Sequence, residues 1–152
     1  MLYLYLTAGA ERLAVPVTGV LEVVPAVRLH RPAGAPDWIA GVFRYRGAVT
    51  PVIDLPRLAA GSTGAVRLST RIVLVEFPTP GGPRPLGLLA ERVTDLGELT
   101  PAGAEYAPAT AGDCPDLGPM VADSEGVVRL PAVERLVPAG HRDALFGAGG
   151  GT

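Results

Sequence analysis

The sequence predicts an all-β protein, a barrel or a sandwich with nine or ten short strands. Short apolar runs recur at the spacing of roughly 8–12 residues that is typical of such folds. The 20 glycines and 16 prolines lie between these runs as turn residues. Helical patterns are confined to a few short pieces. With 152 residues, 48% of them hydrophobic, the chain can form one compact unit or two small subdomains.

The first strands are predicted at the N-terminus. Residues 2–6 and 13–17 are apolar runs separated by turn residues, and they predict a β-hairpin. Residues 18–24 fit either a helical turn or a further strand. Residues 37–40 follow a proline and predict a brief helix that ends at Gly41.

A second hairpin is predicted within residues 42–55. Gly47 and Ala48 suit a two-residue type II′ loop, because glycine tolerates the positive φ that its first central position requires. This register places Arg46 opposite Val49. Arg46 then stands beside the turn, where it can contact a protein partner, since arginine is enriched at binding hot spots.

The second half of the chain continues the β pattern. Residues 71–77 are apolar on both faces and predict an interior strand, with 86–93 as its partner. Residues 117–121 and 127–131 predict a last hairpin. The remaining segments are predicted to be helical turns at 56–60 and 131–137, a mobile loop at 102–116, and a flexible Gly-rich tail at 141–152.

Composition argues against several functions. A net charge of −2 and an aromatic content of 5% disfavour binding to nucleic acid or to an anionic membrane. We find no apolar run of about 18 residues, so direct membrane insertion is not expected. The single cysteine, Cys114, cannot form an internal disulfide, which fits a reducing compartment. These observations predict a cytoplasmic protein.

The residues that could carry chemistry are isolated from one another in the sequence. His30, His141 and Cys114 lack the spacing of a metal site, and Cys114 lies beside an aspartate that would raise its pKa. Asp54 is predicted to cap the helical turn at 56–60 or to pair with an arginine. We therefore expect no catalytic residues, metal or cofactor. A small β-barrel enzyme using Asp54 and Cys114, and an oligonucleotide-binding barrel, are the alternatives from other functional classes.

Residues 38–55 carry a longer motif, Trp-Ile-Ala-Gly-Val-Phe-Arg-Tyr-Arg-Gly-Ala-Val-Thr-Pro-Val-Ile-Asp-Leu. It resembles the signature of the CheW family of chemotaxis coupling proteins. Residues 14–17 and 20–23 upstream, and 72–75 and 86–93 downstream, resemble further family segments in the same order. The resemblance covers residues 2–137, nearly the whole chain.

The resemblance implies a fold and a role. The fold is a pair of five-stranded SH3-like barrels with exchanged chain segments and a few short helices, which here would span residues 1–140. The role is that of a non-catalytic adaptor. It links the cytoplasmic tips of methyl-accepting chemoreceptors to the regulatory domain of a CheA-type histidine kinase, in membrane-associated receptor arrays.

The resemblance also implies a receptor-binding groove between the barrels, at Val20, Gly41 and Arg46. Val20 would offer apolar contact and Gly41 close approach. Arg46 would contact the receptor or hold the hairpin through a carboxylate such as Asp54. Kinase binding would use exposed apolar surface at a barrel end. The supporting hairpin residues are Arg44, Tyr45, Gly47 and Asp54.

Arg44 and Tyr45 replace the family's usual Asn-Leu, so this hairpin carries an added charge and an aromatic ring. The resulting motif resembles adaptors of Wsp-type surface-sensing systems, whose output controls a diguanylate cyclase. That pathway is the alternative to chemotaxis.

Overall fold

The computed structural model describes residues 1–100, 106–108 and 112–147. This part of the chain forms ten strands and two short α-helices. The strands are β1 (Leu2–Ala8), β2 (Glu11–Pro16), β3 (Val20–Pro25), β4 (Ile39–Tyr45), β5 (Ala48–Asp54), β6 (Arg71–Phe77), β7 (Arg84–Ala90), β8 (Arg92–Glu98), β9 (Met120–Asp123) and β10 (Gly126–Arg129). The helices are α1 (Leu55–Ala60) and α2 (Arg142–Phe146).

The strands form two five-stranded sheets. The first has the order β8-β1-β2-β10-β9, and the second has the order β3-β6-β7-β5-β4. The second sheet is one continuous piece of chain, whereas the first is built from both ends of the sequence. Only Glu91 separates β7 from β8, so the chain changes sheet within a single residue. The predicted fold class, all-β with two five-stranded units and few helices, is confirmed.

Strand β6 shows how the two sheets share a core. Its side chains alternate between two faces, as in any strand. Val73 and Val75 enter a large cluster to which both sheets contribute, which we call the shared core. Ile72 and Leu74 enter a smaller cluster that belongs to the second sheet alone. Because both faces are buried, residues 71–77 are almost wholly apolar, and the predicted interior strand is confirmed.

The N-terminal predictions are largely confirmed. Strands β1 and β2 form the expected hairpin, in which Ala8 pairs with Glu11. Residues 18–24 resolve into the end of a 3-10 turn, Val17–Gly19, followed by strand β3. The helix predicted at 37–40 is wrong, because β4 begins at Ile39. Ile39 pairs with Ile53 and is buried in the shared core, and this tertiary pairing outweighs the local helix signal.

Two predictions in the second half need correction. The partner of β6 ends at Ala90, and residues 92–93 belong to β8 in the other sheet. At 131–137 only a 3-10 turn forms, at Val133–Arg135. The last hairpin is confirmed by β9 and β10. The loop predicted at 102–116 lies partly outside the described residues. Neither helix in the described ranges has the length and apolarity to cross a membrane.

The C-terminal segment also differs from the expected tail. Residues 142–146 form α2, and Phe146 is buried in the shared core. Its ring stacks on Phe77 with 4.9 Å between ring centroids and an interplanar angle of 12°. An apolar contact that is distant in sequence therefore orders the start of the segment. Residues 148–152 lie outside the described residues.

Candidate functional site

The β4–β5 hairpin differs from its predicted form. Tyr45 pairs with Ala48, so Arg46 and Gly47 are the two loop residues, and Arg44 rather than Arg46 lies opposite Val49. The φ angles are +50° at Arg46 and +81° at Gly47, as in a type I′ turn. The predicted register is two residues away from the observed one. A shift of two keeps every side chain on the same face, so the alternation pattern cannot distinguish them.

Contacts with Glu22 of β3 hold Arg46 in this conformation. A left-handed backbone costs a non-glycine residue about 1 kcal/mol. The Nη2 atom of Arg46 lies 3.3 Å from Oε1 of Glu22, and its guanidinium lies over the Tyr45 ring, 5.1 Å from the centroid. The Tyr45 hydroxyl donates a hydrogen bond to the same Oε1 at 2.8 Å. We call these three residues the Glu22 cluster; Glu22, not Asp54, is the carboxylate partner of Arg46.

The Glu22 cluster joins the two edges of the second sheet. Strands β3 and β4 stand at opposite ends of the strand order, yet Glu22 of one reaches Tyr45 of the other. The sheet is therefore curled, and side chains link its edges. Burial raises the pKa of Tyr45, and the hydrogen bond to Glu22 raises it further. The phenol stays protonated at neutral pH and can donate to the carboxylate.

Asp54 has a structural role at the end of β5. It is buried, and one carboxylate oxygen accepts the N–H of Arg57 at 3.0 Å, which caps α1. The other oxygen accepts the hydroxyl of Thr63. The capping interpretation made from the sequence is confirmed.

Gly41 is a site of close approach, but within the chain itself. Its φ is +152°, and a Cβ at this position would lie 2.8 Å from Cβ of Leu29 and 2.9 Å from the carbonyl oxygen of His30. His30 forms a backbone bridge with Val42. The segment that needs a glycine here is therefore residues 29–30. This corrects the expectation that Gly41 leaves room for a partner.

Val20 lies at the margin of the shared core. It pairs with Val75 and is half-buried against that core, as is Val93 at the start of β8. Strands β3 and β8 are edge strands of the two different sheets. Val20 and Val93 lie at separate places on the shared core, because Val20 pairs with Val75 whereas Val93 shares a depression with Arg71 at the other end of β6. We call the margin at Val20 the seam. Leu96 is 54% exposed further along β8.

Two residues of this site were missed by sequence reasoning. Glu22 could have been identified as the one acid in the apolar run 20–24. Val93 lies in the strand that resembles the family's downstream segment, but its contact with the shared core depends on the change of sheet at Glu91.

Two of the residues considered for catalysis or metal binding, His141 and Cys114, pack against other parts of the chain. The His141 ring meets Trp38 edge-on, with 5.1 Å between centroids, and this histidine is half-buried. Cys114 packs against the shared core. In the described ranges, no three His, Cys, Asp or Glu side chains are grouped so that they could hold a metal ion.

A family model described as a CheW-like domain matches residues 2–140. The chain is 29% identical over 106 residues to Chemotaxis protein CheW of Klebsiella aerogenes, a match that covers 70% of this chain and 61% of that protein. It is 36% identical over 105 residues to Protein FrzA of Myxococcus xanthus, with 69% of this chain and 62% of that protein covered. The matched part thus spans less than two thirds of either relative.

Among solved structures, the scaffolding protein TtCheW from Thermoanaerobacter tengcongensis is similar, with a TM-score of 0.70 and 19% sequence identity. The likeness covers 89% of this chain and 90% of that one. At this identity it establishes the fold.

Proposed function

The chain belongs to the CheW-like domain family, and we propose that it is a non-catalytic adaptor that couples chemoreceptors to a CheA-type histidine kinase. The family match over residues 2–140 supports an adaptor in chemotaxis-type signalling. One relative is named a chemotaxis protein, and one structural neighbour is titled a scaffolding protein. The receptor contact is the specific part of the proposal.

The observation that carries the receptor contact is the conformation and exposure of Arg46. Its side chain is 65% exposed although it is paired with Glu22. A strained backbone at a surface residue points to a function, because glycine would serve the turn at lower energy. The left-handed turn sets the direction of the guanidinium, and the pair with Glu22 restricts it further. Arg46 is therefore preorganised to meet a partner.

The seam supplies the apolar half of the proposed contact. Val20 and Glu22 lie two residues apart on β3, but the register shifts between them, so Val20 packs against the shared core while Glu22 lies on the face that carries Tyr45. Strand β3 therefore carries the apolar margin on one face and the Glu22 cluster on the other, within two residues. An apolar groove with a charged group at its rim suits an amphipathic helix. A helical receptor tip could place its apolar face on the seam and a polar group against Arg46.

The test measures binding to the cytoplasmic fragment of a chemoreceptor and to the regulatory domain of a CheA-type kinase, both encoded with this chain. We expect Arg46→His and Arg46→Gly to weaken receptor binding about 30-fold, the equivalent of a hot spot of about 2 kcal/mol. Kinase binding should be unchanged. Arg135→His is the matched control, since Arg135 is 72% exposed and lies outside the seam.

Thermal unfolding shows whether each variant is folded. Arg46→Gly removes an exposed ion pair but also relieves the left-handed strain, so its melting temperature should stay near that of the wild type. Equal receptor binding by wild type and both Arg46 variants would contradict the proposed contact. Failure to bind either partner would contradict the adaptor role.

The alternative that the adaptor belongs to a surface-sensing pathway rests on the motif Phe43-Arg44-Tyr45-Arg46-Gly47. It predicts that the same kinase phosphorylates a diguanylate cyclase and not a motor-binding response regulator. Phosphotransfer from the reconstituted complex to each type of regulator distinguishes the two pathways.

A further inference from the structure

An arginine-lined cleft lies beside the start of β8. Two adjoining depressions, of about 470 and 240 Å³, share Ser69 and Arg92 in their walls. Arg71 and Val93 line the larger depression, and Arg67 lines the smaller. Val93, in the wall of the larger depression, also packs against the shared core.

Two of the three arginines come from one segment of the chain and the third from another strand. Arg67 precedes β6 in a loop, Arg71 begins β6 in the second sheet, and Arg92 begins β8 in the first sheet. No local sequence pattern brings Arg92 to Arg67 and Arg71. The cluster exists because the chain changes sheet at Glu91 and sets the start of β8 beside the start of β6.

These arginines form a local excess of positive charge. Within the described residues, none of Arg67, Arg71 and Arg92 forms an ion pair, whereas several other arginines do. The carboxylate in the cleft wall belongs to Glu91, which accepts the backbone N–H of Gly9. The cleft is therefore positively charged, although the whole chain carries a net charge of −2.

Hydrogen bonds order one wall of the cleft. The Thr70 hydroxyl accepts the N–H of Arg67 at 2.9 Å, and the N–H of Thr70 returns to the Arg67 carbonyl at 3.1 Å. The Nη1 atom of Arg71 donates to the carbonyls of Leu68 and Thr70. This anchors the guanidinium at the rim while its Nε and Nη2 remain available. A preorganised guanidinium can bind a carboxylate at a lower entropic cost.

We propose that this cleft binds carboxylate side chains of an acidic segment on the chemoreceptor that contacts Arg46. The inference rests on the proposed function, which identifies the receptor as the partner. It adds that the receptor carries negative charge where it meets the cleft. Guanidinium groups match carboxylates in geometry and charge. The hydroxyl group of Ser69 can donate a further hydrogen bond to such a carboxylate.

The charges along β8 favour a protein as the ligand of the cleft over a nucleic acid or an anionic membrane. Thr94 also lines the next depression, where Arg12 is the lone cation and is already paired with Asp123. The distance along the strand from Arg92 to Asp95 is about 10 Å. A nucleic acid or an anionic membrane covering the cleft would meet this acidic surface. A protein segment can carry negative charge locally and avoid it. The acidic residues there are Asp95, Glu98, Asp123 and Glu125.

The first experiment uses the ¹⁵N-labelled full chain and N-acetylated, C-amidated hexaglutamate, followed by two-dimensional NMR at low salt. We expect saturable shifts confined to the amides of 67–71 and 92–94. Arg92→Glu should weaken binding at least tenfold, since it reverses an exposed charge that makes no hydrogen bond in the described structure. Arg135→Glu, an equal charge change outside the cleft, should bind as the wild type does. Melting temperatures check the fold of both variants.

Three results would overturn the inference. One is an equal response to hexalysine, which would show that charge matching is absent. Another is equal hexaglutamate binding by wild type and Arg92→Glu. The third is that inorganic phosphate produces the same shifts at the same affinity, which would assign the cleft to a free anion instead of a protein.

The second experiment separates this inference from the proposed function. The receptor fragment is titrated into the wild type, Arg92→Glu and Arg46→His. We expect both variants to bind more weakly, and added salt to reduce the effect of Arg92→Glu. Binding lost with Arg46→His but unchanged with Arg92→Glu overturns the carboxylate cleft and leaves the adaptor intact. Hexaglutamate binding without any receptor binding contradicts the adaptor role and leaves the cleft standing.

Discussion

Each sheet contains a cluster in which an arginine lies over a tyrosine ring and pairs with carboxylates, two in the first sheet (Asp123 and, at 3.5 Å, Glu125) and one in the second. The two clusters differ in a way that separates stability from binding. In the first sheet, Arg12 lies over the Tyr5 ring at 5.6 Å and pairs with Asp123. In the second, Arg46 lies over the Tyr45 ring at 5.1 Å and pairs with Glu22. Burial raises the pKa of both tyrosines.

The geometry of the two ion pairs differs. Arg12 donates two hydrogen bonds to Asp123, at 2.8 and 3.1 Å, and the Asp123 side chain is only 8% exposed. Arg46 makes one contact to Glu22 at 3.3 Å, and that carboxylate is 44% exposed. Two charge-assisted bonds shielded from water are stronger than one at the surface. The first cluster therefore stabilises the fold, and the second leaves its arginine available to a partner.

The position of each cluster agrees with a stabilising role for the first cluster and a binding role for the second. Strand β10 pairs with β2 only through Arg129 and Leu13, so backbone pairing alone holds the last hairpin weakly. The bond from Arg12 in β2 to Asp123 in β9 crosses that junction and reinforces it. Arg46, in contrast, lies in an exposed turn whose two strands are already fully paired.

The largest effect should come from Arg12→Ala compared with Arg46→Ala. We expect Arg12→Ala to lower the free energy of unfolding by about 2 kcal/mol, because it leaves Asp123 partly buried without its partner. Arg46→Ala should cost less than about 1 kcal/mol, as exposed pairs do. Urea unfolding at pH 7 measures both. Equal losses would show that the two clusters do not differ as described.

Acid should remove the contribution of the first cluster. The hydrogen bonds from Arg12 hold the pKa of Asp123 below its usual value. A lowered folded-state pKa stabilises the protein above the unfolded-state pKa of about 3.9, and this stability is lost as the pH falls through the folded value. The stability difference between wild type and Asp123→Asn should therefore shrink below about pH 4. A constant difference between pH 7 and pH 2.5 would contradict the ion pair.

The smallest effect concerns the tyrosine hydroxyls. Tyr45→Phe removes the hydrogen bond to Glu22 and should cost about 1 kcal/mol. Tyr5→Phe should change stability by less than about 0.5 kcal/mol, since the Tyr5 hydroxyl makes no hydrogen bond within the described ranges. Thermal unfolding of the two variants side by side tests this difference. A larger loss for Tyr5→Phe would reverse the comparison.

Much of the fold could be predicted because it depends on local patterns. The hairpin at 2–17 and the interior strand at 71–77 follow from alternation and turn residues. The Asp54 cap follows from an aspartate directly before a Leu-Pro helix start. The site was predicted less well: the sequence places Arg46 beside the turn and opposite Val49, whereas Arg46 is a loop residue and its carboxylate partner is Glu22, not Asp54.

The sequence by itself determined the all-β class, the positions of most strands and the exposed arginine turn, because these follow from interactions between near neighbours along the chain. Only the tertiary structure decided the hairpin register, the pairing of Arg46 with Glu22 and the meeting of three arginines beside Val93. The alternation of side chains between the two faces of a strand repeats every two residues, so the sequence pattern cannot detect a register shift of two residues. The clusters join residues that are far apart in the chain, which only the packing of the two sheets brings together.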